Sequence, residues 1–143
     1  MTEKLLQTIW SFQYFNRSQL QTTTGEKVDI LFPGTLNVNQ GPDFLAARIK
    51  INNTVLIGSI ELHLKSSDWQ KHHHSDDDNY KNVILHVVLE HDLELDHHFP
   101  TLELESRISR LMLEQYSLLQ QQSQFIPCSN QIRPGRSGWW PKG

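Results

Sequence analysis

Three side chains in the first half of the chain have the types and spacing of a metal-dependent hydrolytic site. Asp43 stands before a predicted strand, in the run Asn39–Phe44, and Glu61 and His63 stand two residues apart on the next predicted strand. Because side chains alternate across a strand, Glu61 and His63 project from the same face. Hard divalent cations bind carboxylates and waters, and often need only one or two protein carboxylates. The spacing therefore predicts a Mg²⁺ or Mn²⁺ site held by Asp43 and Glu61.

Two basic side chains near these acids are candidates for a catalytic role. Neutral histidine has a pKa near 6.5 and is a usable base at neutral pH, so His63 is the candidate that orients or deprotonates the attacking water. Lys65 lies on the same predicted face of the strand. Four residues at about 3.3 Å each separate it by about 13 Å from Glu61, which makes it the second candidate.

A simpler interpretation stays open for the same residues. Asp43 can hydrogen-bond to the amides of its own loop, and Glu61, His63 and Lys65 can form the solvated face of an antiparallel strand. In that case no metal binds.

Residues 66–81 form a polar segment that contains three auxiliary candidates, Trp69, His72 and His74. Three consecutive histidines cannot all point toward one ion, so the segment is either a solvated loop or directs His72 or His74 toward the acidic pair. Trp69 is expected to anchor the segment to the core, with stacking on nucleic-acid bases as the alternative. His86, in an apolar strand, is expected to be a core histidine with a hydrogen-bonded partner.

The periodicity of apolar residues predicts an α/β (α+β) fold with a mixed sheet flanked by helices. The order is helix, three strands, a crossover, two strands and a helix. The crossover follows from a strand that is apolar on both faces, which is typical of parallel pairing. The predicted elements are a helix at 3–16, strands at 28–32, 44–51, 54–65, 83–89 and 101–105, and a helix capped by Ser106. Asn52-Asn53 is the expected hairpin turn between the strands at 44–51 and 54–65, since asparagine tolerates a positive φ. The side chains expected to share one face of the strand at 44–51 are Leu45, Ala47, Ile49 and Ile51.

Composition restricts the class of protein. The chain has 143 residues and a formal net charge of −3. It has one cysteine, Cys128, and a single cysteine excludes an intrachain disulfide and four-cysteine zinc modules. No apolar run is long enough to cross a membrane, so we expect a cytoplasmic protein without a membrane partner. Lysine and arginine form no dense cluster before Arg133, which argues against non-specific DNA binding but not against a nuclease. The oligomeric state is not predictable.

Most of the chain resembles an uncharacterised bacterial family of unknown function. The resemblance is carried by several motifs in fixed order: Gly41-Pro42-Asp43-Phe44, Gly58-x-Ile60-Glu61-x-His63, Ser67-Asp68-Trp69, His72-x-His74, Tyr80 and Val83-Ile84-Leu85-His86-Val87-Val88. Members of that family are generally much longer. The resemblance implies that residues 1–128 form one nuclease-like α/β domain, a fragment of a longer protein, and that 129–143 form an irregular tail.

The element order and the carboxylates are also distantly similar to the PD-(D/E)XK nuclease superfamily. There an aspartate opens the second core strand and an acid-x-lysine tripeptide lies on the third. Pro42-Asp43 matches the first motif, and Glu61-Leu62-His63 matches the second with histidine in the lysine position. The resemblance implies a restriction-endonuclease-like core and adds the backbone carbonyl of Leu62 to the metal ligands.

Three hypotheses about function remain at this point. The leading one is a Mg²⁺- or Mn²⁺-dependent phosphodiesterase acting on nucleic acid. The second is a catalytically inactive nuclease-like module that binds nucleic acid or protein, which the histidine in the lysine position favours. The third is a structural or small-molecule-binding domain.

Overall fold

The computed structural model describes residues 1–72, 78–95, 98–115 and 118. The chain divides into two compact units, Met1–Ser109 and Arg110–Gly143. The second unit is described only where residues 110–115 and 118 are helical. The predicted tail at 129–143 lies outside the described residues.

The first unit is an α+β fold with one mixed sheet of six strands. The helices are α1 (Glu3–Phe12) and α2 (Asp68–His72), with 3₁₀ turns at Asp78–Tyr80 and Glu105–Arg107. The strands are β1 (Val28–Phe32), β2 (Thr35–Leu36), β3 (Phe44–Ile51), β4 (Thr54–Lys65), β5 (Val83–Glu90) and β6 (Thr101–Glu103). The sheet order is β1-β3-β4-β5-β6, and β2 pairs with the beginning of β3.

Helix α1 is shorter than the predicted helix but begins where the sequence indicates. The Thr2 side chain caps it by accepting a hydrogen bond from the amide of Leu5 at 3.1 Å. Gln13 ends the helix because its backbone is left-handed, with φ of 57°. One side of the helix is buried, and the indole of Trp10 donates to the carbonyl of Pro33 at 3.0 Å. This contact holds α1 to the connection between β1 and β2.

Strands β3 and β4 form the predicted hairpin, with the predicted bounds. Ile51 pairs with Thr54 across the turn, and Asn52 takes the left-handed conformation that asparagine tolerates, with φ of 53°. The prediction of which side chains of β3 share a face is wrong at the beginning of the strand. The backbone of Ala46 is left-handed (φ 58°) and the register of the pairing shifts there. Leu45 is therefore exposed while Phe44 is buried.

The crossover prediction is confirmed, since β4 and β5 are parallel neighbours, as are β5 and β6. Parallel strands buried by elements on both faces read as continuous apolar runs, which explains β5. The predicted final helix is wrong at its beginning. Ser106 lies in a 3₁₀ turn, where its amide and hydroxyl both donate to Glu103. No described helix is long and apolar enough to span a membrane.

Candidate functional site

The structure brings Asp43 and Glu61 together where β3 and β4 lie side by side. Asp43 precedes β3, and its Oδ2 accepts a hydrogen bond from the amide of Leu62 on β4 at 2.8 Å. In return the amide of Asp43 donates to Oε1 of Glu61 at 3.2 Å. These two hydrogen bonds between Asp43 and β4 hold the acids together beyond the irregularity at Ala46.

Helix α1 also contributes to this site, which the sequence analysis did not foresee. The side-chain amide of Gln7 donates to Oδ1 of Asp43 at 2.7 Å, so both oxygens of that carboxylate have a donor. The carboxylate of Glu3, one helical turn earlier, is close enough to act electrostatically on Glu61. The helical period showed which side of α1 is apolar. Nothing in the sequence indicated that Gln7 would reach a residue 36 positions away.

Glu61 is deeply buried, with 4 % of its surface exposed. Burial, the negative charge of Asp43 and a hydrogen bond between the two side chains, with a smaller contribution from Glu3, together raise the pKa of Glu61 to about 10, although the hydrogen bond from the Asp43 amide lowers it. Two carboxyl groups at one place cannot both ionise cheaply unless a positive charge lies between them. In the absence of a cation, Glu61 therefore keeps its proton at neutral pH.

His63 is also buried, with 2 % of its surface exposed. Its Nε2 lies 3.4 Å from Oε2 of Glu61, and its Nδ1 lies 2.8 Å from Nε2 of His86 on β5. The prediction of a hydrogen-bonded core histidine at position 86 is confirmed. The alternative in which Glu61 and His63 form a solvated strand face is wrong, because both side chains are buried.

The remaining predicted site residues lie farther along the chain from the acidic pair. Lys65 ends β4 as an exposed residue, and its amide donates to Asp68 at 3.2 Å. His72 is the last residue of α2, and its side chain lies outside the described part of the structure. His74 also lies outside the described residues.

Trp69, on α2, packs against His63 and His86 and anchors the crossover to the core, as expected. It is 8 % exposed, and its ring centroid lies 5.0 Å from Phe99 and 5.9 Å from Tyr80. It also contacts both histidines, with centroid distances of 5.2 Å to His86 and 6.2 Å to His63. A ring this enclosed is not available for stacking on a base.

These observations define the class of protein as an α+β domain in which a carboxylate pair and two histidines meet on adjacent strands. The sequence profile of the DUF2851 family, described as a protein of unknown function, matches residues 3–136. The chain therefore belongs to that family. No curated protein and no solved structure gives a significant match.

Proposed function

We propose that the chain carries a divalent-metal-dependent phosphodiesterase site that acts on nucleic acid, with Asp43 and Glu61 as the metal ligands. The observation that carries the proposal is the meeting of these two acids, with the amide of Asp43 on Oε1 of Glu61 and a pKa of about 10 at Glu61. The groups that contact the two carboxylates include three neutral amides and the His63 ring. Such a pair attracts either a proton or a cation.

The donor set suits Mg²⁺ or Mn²⁺ better than zinc. Among the described residues, no three histidine, cysteine, aspartate or glutamate side chains are arranged to hold one ion. Structural and catalytic zinc sites use three or four such ligands, whereas Mg²⁺ keeps several waters and binds one or two carboxylates plus substrate phosphate oxygens. Asp43 and Glu61 fit the second pattern, with the carbonyl of Leu62 as the further candidate. A metal bound there supplies a more acidic water and neutralises charge that develops on a phosphodiester.

The contacts of His63 favour a role that differs from the two expected ones, which were to orient or to deprotonate the attacking water. Both ring nitrogens face protein atoms, His86 on one side and Glu61 on the other. A buried ring held in this way is better suited to orienting Glu61 than to taking a proton from water directly. His63 would then act on the nucleophile through the carboxylate.

The distant similarity to PD-(D/E)XK nucleases supports the same assignment. Helix α1 is followed by antiparallel strands, a crossover that contains α2, and the parallel strand β5. Asp43 precedes one strand and Glu61-Leu62-His63 lies on its neighbour, which is the placement of the two motifs in that superfamily, with histidine in the lysine position. A restriction-endonuclease-like core is part of the proposal.

The test is a cleavage assay on single- and double-stranded DNA and RNA with Mg²⁺ or Mn²⁺. Asp43→Asn and Glu61→Gln keep the shape of the side chains but remove the negative charge, so both variants should lose metal-dependent cleavage while circular dichroism shows an intact fold. Glu90→Gln, at the exposed end of β5, is the matched control and should keep the parental rate. Equal cleavage by the two site variants and the parent would remove these acids from the reaction.

A second candidate is a catalytically inactive module that binds nucleic acid or another protein. It is favoured by His63, which is buried in the position where the resembling nucleases carry a lysine charge. This candidate predicts binding without turnover, and an affinity for nucleic acid that falls as salt rises. A titration at low salt that shows no bound nucleic acid would exclude the nucleic-acid form of this candidate.

A further inference from the structure

We infer that His86 is a positioning residue, which fixes the ring of His63 and, through that ring, the Glu61 carboxylate. The inference rests on the function proposed above, because its purpose is to hold one of the two metal ligands in place. His86 touches neither the metal nor the substrate in this scheme.

The contact between the two histidines is short and fully enclosed. His86 has 0 % and His63 has 2 % of its surface exposed, and the Nδ1 of His63 lies 2.8 Å from the Nε2 of His86. Their ring planes cross at 82°, with centroids 5.0 Å apart. In a contact of this length one nitrogen donates and the other accepts, so the tautomer of one ring determines that of the other.

The sheet register explains why His86 can reach His63. Strands β4 and β5 are parallel, and Glu61 lies directly beside His86. His63 is the next residue of β4 on the same face as Glu61. The three side chains therefore form a compact triangle on two hydrogen-bonded strands, in which no loop movement is needed to keep their distances.

Trp69, on helix α2 of the crossover, covers the two histidines. Its ring contacts both imidazoles, and Phe99 and Tyr80 pack against it in turn. Enclosure of this kind limits rotation of the two imidazoles and keeps water from replacing the contact between them. Side chains that contact a metal ligand, as His63 contacts Glu61, typically change metal affinity by about 10- to 100-fold when they are lost. Because His86 acts one contact further out, through His63, its loss should have an effect at the lower end of that range.

The experiment measures the state of the His63 ring and the affinity for Mn²⁺ in the parent, His86→Phe and His86→Gln. Nitrogen-15 NMR of the metal-free parent should show one fixed His63 tautomer and a scalar coupling between Nδ1 of His63 and Nε2 of His86 across the hydrogen bond. In His86→Phe, His63 should become a mixture of tautomers, and calorimetry should show Mn²⁺ affinity weakened by about 10-fold. His86→Gln, which keeps a donor and an acceptor, should recover most of the affinity.

The control is His91→Gln, a histidine beyond the end of β5 that pairs with Glu94 and should leave His63 unchanged. Absence of the coupling in the parent would overturn the inference without any variant, so a His86→Phe protein that fails to fold does not weaken the test. Parental Mn²⁺ affinity in a folded His86→Phe protein would also overturn it. If the parent binds no Mn²⁺, the proposed function fails, and the NMR signals still decide whether His86 fixes His63.

Discussion

Replacing Glu61 by glutamine should change how stability depends on pH. The pKa of Glu61 is raised from 4.5 to about 10 in the folded protein. Between these two values the folded state keeps a proton that the unfolded state releases. The folded state binds more protons over this range, so the free energy of unfolding must fall as pH rises from about 4.5 to about 10. Glu61→Gln removes this dependence because the amide does not titrate.

The size of the effect follows from the number of protons. One proton held by the folded state and absent from the unfolded state changes stability by about 1.4 kcal/mol per pH unit. Between pH 6 and pH 8 the parent should therefore lose roughly 3 kcal/mol that Glu61→Gln retains. For a chain of this size this corresponds to a melting temperature difference of roughly 6–12 °C.

The assay is thermal unfolding of the parent and Glu61→Gln at pH 6, 7 and 8, with a chelator present to remove divalent cations. Groups outside the site contribute equally to both proteins, so the difference between the two curves isolates Glu61. Glu90→Gln, an exposed carboxylate on β5, should follow the parent. The same pH dependence in the parent and in Glu61→Gln would refute the buried, protonated state of Glu61.

Two further predictions concern the packing that holds the site. Trp10→Ala should lower the free energy of unfolding in urea by about 3–5 kcal/mol, because Trp10 is fully buried. Phe12→Ala should lower it by less than about 0.5 kcal/mol, because Phe12 is 63 % exposed. Similar losses in the two variants would contradict the assignment of the buried side of α1. Ser66→Ala should cost about 1–3 kcal/mol, because the buried hydroxyl accepts from the amides of Asp92 and Leu93 and both would lose their partner. Unchanged stability of Ser66→Ala would show that water replaces the hydroxyl.

The sheet was predictable from the sequence because its strands carry strong local signals. The alternation and the Asn52-Asn53 turn gave β3 and β4 their observed bounds, and the apolar run of β5 indicated parallel pairing. The short strand β2 was not predicted, since two residues offer too little periodicity. The exposed Leu45 was not predicted either, because one left-handed residue, Ala46, reverses the alternation and nothing in its side chain signals this.

The meeting of Asp43, Glu61 and His63 was predictable from the sequence, but the side chains that surround them were not. The motifs identified Asp43, Glu61 and His63, since their spacing on strands is a local property. The contact of Gln7 with Asp43 and the contact of His86 with His63 depend on how distant elements pack. Burial of Glu61 depends on the same packing, and strand periodicity alone had left open a solvated face.

A Mn²⁺ titration of the melting temperature at pH 8 tests most directly the claim that Asp43 and Glu61 hold one divalent cation. A ligand that binds only the folded protein stabilises it by about 2.7 kcal/mol at a free concentration one hundred times its Kd. The parent should show this rise, and Asp43→Asn and Glu61→Gln should not. A parent whose melting temperature is unchanged by millimolar Mn²⁺, or a rise that persists in both variants, would contradict the claim.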